Sequence, residues 1–176
     1  DKPTLDRIAL LHTKLRAEAF AIYQEINAAL TGRSTVRFGQ TLRSFAEQQA
    51  TYNQGRKTPV PIVTNALPGL SLHQYGLGLD ILLLVDRDNN GTFEKAEWNV
   101  TEDFDADRVS DWMECVRIFR KYGWTWGADW DNDGLTKAMG DKDEKLVDAP
   151  HFQKTFGYNV RQLLAKYNSK QVDKQY

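Results

Sequence analysis

The sequence predicts an α+β domain, a small and largely antiparallel sheet with helices packed against it. Three features predict it: apolar residues at helical spacing along the N-terminal stretch, a second such run between Asp111 and Tyr122, and a strand-length apolar run, Ile81 to Val85, between them.

Leu5, Ile8, Leu11, Leu15, Ala19, Ile22, Ile26 and Leu30 recur at three- and four-residue steps, so one face of an N-terminal helix is expected to be buried. Thr4 is the expected cap and Gly32 the expected stop, with a break allowed near His12 because Thr13 is also a capping residue. His12 has no acidic or histidine companion at ligand spacing and reads as a structural or surface residue. Val36 to Leu42 alternates as a strand does, and Ser44-x-x-Glu47 is the capping-box signature of a helix running to about Asn53 or Gln54, with Gly55 past its end. Arg43 therefore falls at a strand-to-helix junction. A loop with Pro59, Pro61 and Pro68 leads through Ser71 to Asp80 into Ile81–Val85, which reads as a buried central strand. From Asp86 to about Ser110 the chain is polar and acid-rich, an inserted surface excursion. A helix from Asp111 to Tyr122, capped by Ser110 and stopped by Gly123, precedes a strand or strand end at Trp124–Trp130. A second acidic loop, Asp131 to Asp148, a helix from Val160 to Tyr167 and a frayed end from Ser169 to Tyr176 complete the reading.

The 176 residues, 41% hydrophobic and 27% charged, fit one compact domain over 1–176. With 23 basic against 24 acidic residues there is no broad positive field, and nucleic acid is not an expected partner. No stretch reaches the ~20 apolar residues of a membrane span. The N-terminus shows no basic segment followed by an apolar one, so any signal peptide is expected to have been removed. Cys115 is single, lies in the apolar phase of its helix and is expected to be a buried thiol; a monomer is expected.

Asp80 carries the chemical signal, because it interrupts an apolar strand where an unpartnered carboxylate is costly. His73 stands seven residues earlier in a glycine-flanked turn, and His151 follows Asp148 by three in an aromatic-flanked segment. Two imidazoles and a carboxylate suit zinc. An Arg or Lys partner for Asp80, with both histidines hydrogen-bonded in the core, accounts for the same residues.

Ser71-x-His73-x-x-Gly76-x-Gly78-x-Asp80 followed by Asp148-x-x-His151 resembles the motifs of the zinc D-alanyl-D-alanine carboxypeptidase and L-alanyl-D-glutamate endopeptidase family. Leu42-Arg43-Ser44-x-x-Glu47-Gln48, Tyr52-x-x-Gly55-Arg56, Gly127-Ala128-Asp129-Trp130 and Pro150-His151-Phe152-Gln153 are similar to further segments, in order from about Arg37 to Phe156. The resemblance implies the fold of the hedgehog and D-Ala-D-Ala peptidase type, with zinc on the sheet held by His73, Asp80 and His151. It further implies Asp148 as general base, Arg43 as partner of the developing oxyanion and Ser71 as a substrate contact. The implied activity is hydrolysis of peptidoglycan stem peptides at the cell wall, in the periplasm or outside the cell, by a bacterial or phage enzyme. Cleavage of the L-alanyl-D-glutamate bond is the closer match and removal of terminal D-alanine the alternative. A non-catalytic wall-binding or calcium-binding module is the alternative of another class.

The excursion opens with Asp86-Arg87-Asp88-Asn89-Asn90-Gly91-Thr92-Phe93-Glu94-Lys95-Ala96-Glu97, which fits the twelve-position EF-hand loop, with glycine at the sixth position. Calcium held by Asp86, Asp88, Asn90, Thr92 and Glu97 is one expectation, and an asparagine-glycine turn on a solvated loop is the other. Asp103 to Asp107 and Asp129 to Gly134 repeat the alternation of acids less completely.

Overall fold

The computed structural model describes residues 1–134, 136–137 and 146–169. Two helices open the chain, α1 (Lys2–Leu10) and α2 (Thr13–Ala29), separated at the break expected near His12. Their caps differ from expectation. Asp1 accepts from the Thr4 N–H, whereas Thr4 is buried inside the first turn and its hydroxyl accepts from the N–H of Phe38. The His12 ring nitrogen, not Thr13, accepts from Lys14 at the start of α2. Helix α2 ends at Ala29, with Leu30 and not Gly32 at its C-terminal cap.

Strand β1 (Ser34–Gln40) leads to α3 (Phe45–Asn53), whose Ser44–Glu47 capping box is complete. A short 3-10 helix (Leu72–Tyr75) precedes β2 (Gly78–Val85), and β3 (Lys95–Glu97) lies within the acidic excursion. Then come α4 (Asp111–Lys121), β4 (Thr125–Trp126), β5 (His151–Gln153) and α5 (Val160–Asn168). Ser110 stands before α4 but does not cap it through its side chain; its hydroxyl donates to the Val100 carbonyl. Residues 170–176 and much of the Asp131–Asp148 loop lie outside the described residues.

The sheet is antiparallel throughout, in the order β1-β2-β5-β4, with β3 pairing with β2 beyond the end of β5. Alternation along β2 decides which side carries chemistry. Leu79, Ile81, Leu83 and Val85 point to one face and are all but wholly buried. That face is covered by the α2 stripe of Leu15, Ala19, Ile22 and Ile26 and by Trp112, Cys115, Val116 and Phe119 of α4. Each fully buried aliphatic or aromatic side chain contributes about 1.5–3 kcal/mol. Phe152 of β5 stacks on Phe119 with ring centroids 4.1 Å apart, which turns its neighbours His151 and Gln153 to the opposite face. Asp80 and Leu82 share that outer face. At Gly39 the β1–β2 register shifts by a bulge that sets Gln40 across from Asp80. Cys115 is buried as expected, and burial pushes its thiol pKa well up, away from the range of reactive thiolates. Among the described residues no helix is long and apolar enough to cross a membrane.

The first turn of α4 is unusually acidic inside. Asp111 is wholly buried and accepts from Ser34 Oγ and the Phe104 N–H. One turn on, Glu114 Oε2 is buried with no hydrogen-bond partner among the described residues. Burial, then the charges of Asp105, Asp107 and Asp111, push the Glu114 pKa up to about 7. An acid with a raised folded-state pKa holds its proton more tightly when folded. Its contribution to stability is therefore full below the unfolded pKa of about 4.3 and is lost as pH rises through about 7. Thermal melts of Glu114→Gln beside the parent from pH 4 to 8 should show a smaller loss of Tm above pH 5 in the variant, and a higher Tm than the parent at pH 8. Parallel curves would remove Glu114 as the cause.

Candidate metal centre and its cleft

Asp80 and His151 are direct cross-strand partners in the β2–β5 pair, so their side chains meet on the outer face. His73 arrives from the 3-10 helix before β2, whose cap at Gly76 has left-handed backbone, φ 62°. Asp80 Oδ1 lies 3.2 Å from His73 Nε2 and 3.1 Å from His151 Nδ1. The two rings meet edge-on with centroids 5.1 Å apart, and both histidines are buried. Among the described residues neither Arg nor Lys pairs with Asp80.

Each imidazole also faces an acceptor on its far side. His73 Nδ1 is 3.1 Å from the Thr41 carbonyl, and His151 Nε2 is 3.2 Å from Gln153 Oε1. An imidazole between two acceptors must either be doubly protonated or give its second nitrogen to a cation. Two imidazolium rings in a buried site would repel each other. One shared cation would satisfy both lone pairs and the carboxylate, with Thr41 and Gln153 fixing the tautomers. The spacing fits: four ligands at zinc bond lengths of about 2.0–2.1 Å in a tetrahedron stand about 3.3 Å apart. The three ligand atoms lie within 4.8 Å of one another.

The electrostatics of the three side chains follow from the same contacts. Burial would raise the Asp80 pKa, but hydrogen bonds and charge from His151 and His73 hold it well below the carboxylate range. Burial would lower the His151 pKa, and Asp80 followed by Asp148 reverses this, raising it.

Asp148 lies on the same cleft, together with Arg43, Ser71 and Trp130. Solvent reaches Asp148, yet enough protein surrounds its carboxyl that desolvation, the largest cause, raises its pKa, with Asp80 adding and His151, His73 and Arg43 opposing. Its backbone is tied down: the Asp148 N–H donates to the Gly127 carbonyl at 2.7 Å, while the Gly127 N–H donates to the His151 carbonyl at 2.8 Å. A Cβ on Gly127 would meet the Asp148 carbonyl oxygen at 2.3 Å, so only glycine permits this approach. The indoles of Trp126 and Trp130 donate to the carbonyls of Ala149 and Leu146 and hold the same segment.

Arg43 sits at the junction between β1 and α3, its N–H donating to the His73 carbonyl and its Nη1 to Gln48 Oε1. No Arg43–Glu47 ion pair is found among the described residues; Glu47 instead accepts from the Ser44 N–H. Ser71 precedes the 3-10 helix without capping it, which leaves its hydroxyl at the cleft. Thr41, Gln153, Gly127, Trp126 and Trp130 have positions in this site that spacing alone does not signal.

The residues expected to share calcium are engaged otherwise. Asp86 accepts from the N–H groups of Asn90 and Gly91, Asn90 accepts from Thr92, and Asp88 accepts from Asn90. Glu97 pairs with Arg87 rather than turning back to the loop. Acidic oxygens within 4.8 Å of one another gather instead at Asp103, Asp105 and Asp111, at Asp105, Asp107 and Glu114, and at Asp129, Asp131 and Asp133.

Residues 64–135 match the family model described as D-alanyl-D-alanine carboxypeptidase. That span holds His73 and Asp80 and stops short of Asp148 and His151. The chain is 40% identical over 88 residues to the peptidoglycan L-alanyl-D-glutamate endopeptidase CwlK of Bacillus subtilis (strain 168). The alignment covers 50% of this chain and 49% of that protein, so the chain spans about half the length of the curated relative it matches. Two solved structures are similar at 18% identity. One is the Serratia marcescens L-Ala D-Glu endopeptidase ChiX, with a TM-score of 0.46 over 88% of this chain and 87% of that one. The other is the vancomycin-resistance D,D-dipeptidase VanXYg, with a TM-score of 0.49 over 89% and 59%. The family resemblance read from the motifs is borne out over residues 64–135.

A Cβ on Gly78 would come 2.8 Å from His151 Cε1, so this glycine makes room for the second imidazole. Gly78→Ala should keep the far-UV circular dichroism of the parent and lose about 10–100-fold in zinc affinity, as expected when the surroundings of a ligand are disturbed. Competition against a chromophoric chelator measures this, and unchanged affinity would show that the ring position is not set there.

Proposed function

We propose, from the match of residues 64–135 to a peptidase family and from the fit of His73, Asp80 and His151 to a tetrahedral cation, that this chain is a zinc peptidase acting on peptidoglycan stem peptides. The observation that carries the reading is the pair of buried imidazoles meeting one carboxylate oxygen, each with an acceptor already behind it. Three protein ligands leave a fourth position, the pattern of catalytic rather than structural zinc. Bound zinc supplies Lewis acidity and a water acidified to a pKa of about 7.

The chain's own groups account for the rest of the reaction. Asp148, ionised and beside the ligands, takes the proton of the attacking water and returns it to the leaving amine. Its raised pKa suits both halves of that exchange. Arg43, held from its backbone by His73 and from its side chain by Gln48, offers guanidinium donors to the carbonyl oxygen as charge develops. Ser71 borders the same cleft and contacts substrate there.

Cleavage between L-alanine and D-glutamate is the bond we assign, supported by the 40% identity to the Bacillus endopeptidase. The family model's own description favours removal of terminal D-alanine as the second reading. Digestion of purified muropeptides by the zinc-loaded protein separates them: new N-terminal D-glutamate by mass spectrometry is expected, and released D-alanine would favour the second. Asp148→Asn should retain stoichiometric zinc and lose about 10²–10⁴-fold in kcat. An active variant would remove Asp148 as the base.

A further inference from the structure

The cleft, about 1030 Å³ in volume, extends beyond the metal ligands over the outer face of the sheet. Its floor there is Leu82, two residues past Asp80 on the same face and so about 7 Å along β2. Beside it Gly39 has no side chain to rise above the floor. Trp98, delivered by the inserted excursion just after β3, lines the same cleft and remains 53% exposed.

Trp98 is held there by design of its backbone. Glu97 pairs across to Leu83 of β2, and its Oε1 accepts from the N–H groups of both Trp98 and Asn99 at 2.9 Å. Its other oxygen pairs with Arg87, which also reaches Glu102 at 3.2 Å. The network fixes the main chain at 97–99 while the large apolar indole faces solvent. What sets this indole apart from a lone exposed apolar side chain is its place on a braced segment at the wall of the cleft, where a flat ring with one wet end suits a contact role.

We infer that Trp98 is a specificity residue that stacks on a saccharide ring of the glycan to which the stem peptide is attached. The inference rests on the proposed stem-peptide activity. A flat indole with open water beyond it suits a ligand that has one C–H face and hydroxyls at its edges, and Gln40, Thr64 and Asn65 supply polar groups around the same cleft. The distance agrees. In a muramoyl peptide the sugar is joined to the first residue of the stem, one or two residues' reach from the bond assigned here, and two extended residues span about 7 Å. The excursion thus has a role at the cleft.

The test compares two substrates with the zinc-loaded protein: a stem peptide carrying N-acetylmuramic acid and the same peptide without it. Trp98→Ala should raise KM about five- to tenfold on the sugar-bearing substrate, with kcat and the kinetics on the free peptide unchanged. Trp98→Phe should recover most of the loss. In zinc-loaded Asp148→Asn, the muramoyl peptide should shift the Trp98 indole resonance in NMR spectra and the free peptide should not. Equal effects of Trp98→Ala on both substrates, or on neither, would overturn the saccharide contact while leaving the peptidase reading intact. Failure of the parent protein to cut either substrate would remove both.

Discussion

The register between β2 and β5 is the constraint on which the site depends. Asp80 and His151 are opposite each other, while Leu79 and Phe152 face the core between them and the helices. Because side chains alternate, a slip of one residue would bury Asp80 and His151 and expose Leu79 and Phe152. Burial of Phe152 against Phe119 therefore does positional work for His151, and the hydrophobic effect is what aims the polar group. The β5 strand is only three residues long, so its own ladder could not specify this register without that anchor.

The same logic joins the site to the distant N-terminal helices. Thr41, whose carbonyl faces His73, donates its own hydroxyl to the Arg7 carbonyl of α1, and the His12 N–H donates to the Gly76 carbonyl behind the 3-10 helix. The loops that bring His73 to the sheet are thus fastened to the packed layer on its other side. Loops are ordinarily the mobile part of a site, and here their backbone donors and acceptors are used up by rigid elements.

Much of this was legible in the sequence because it depends on period and punctuation. The α2 stripe, the Ser44–Glu47 box, the apolar β2 run and the anomalous Asp80 all follow from local rules. The partners behind the histidines were not legible, since Thr41 and Gln153 act through a carbonyl and an amide that only the fold brings near. The helix caps show the same limit. Thr4 and Ser110 are good capping residues by type, but long-range partners, Phe38 and Val100, claim their hydroxyls. The Asp86 loop has the residue order of a calcium site, yet Arg87 within the loop competes for Glu97, and nothing in a position-by-position pattern records that pairing. Trp98 gave only the signal of an aromatic residue in an acid-rich stretch.

Gly127 is one residue with two jobs, its carbonyl receiving the N–H of Asp148 and its own N–H donating to the carbonyl of His151. The two residues are thereby coupled as a single clasp. The His151 N–H also donates to the Asp148 carbonyl, so the two backbones are set against each other both directly and through Gly127. For the base role proposed for Asp148, what would count is this relative placement of two neighbours and not where either stands in the molecule.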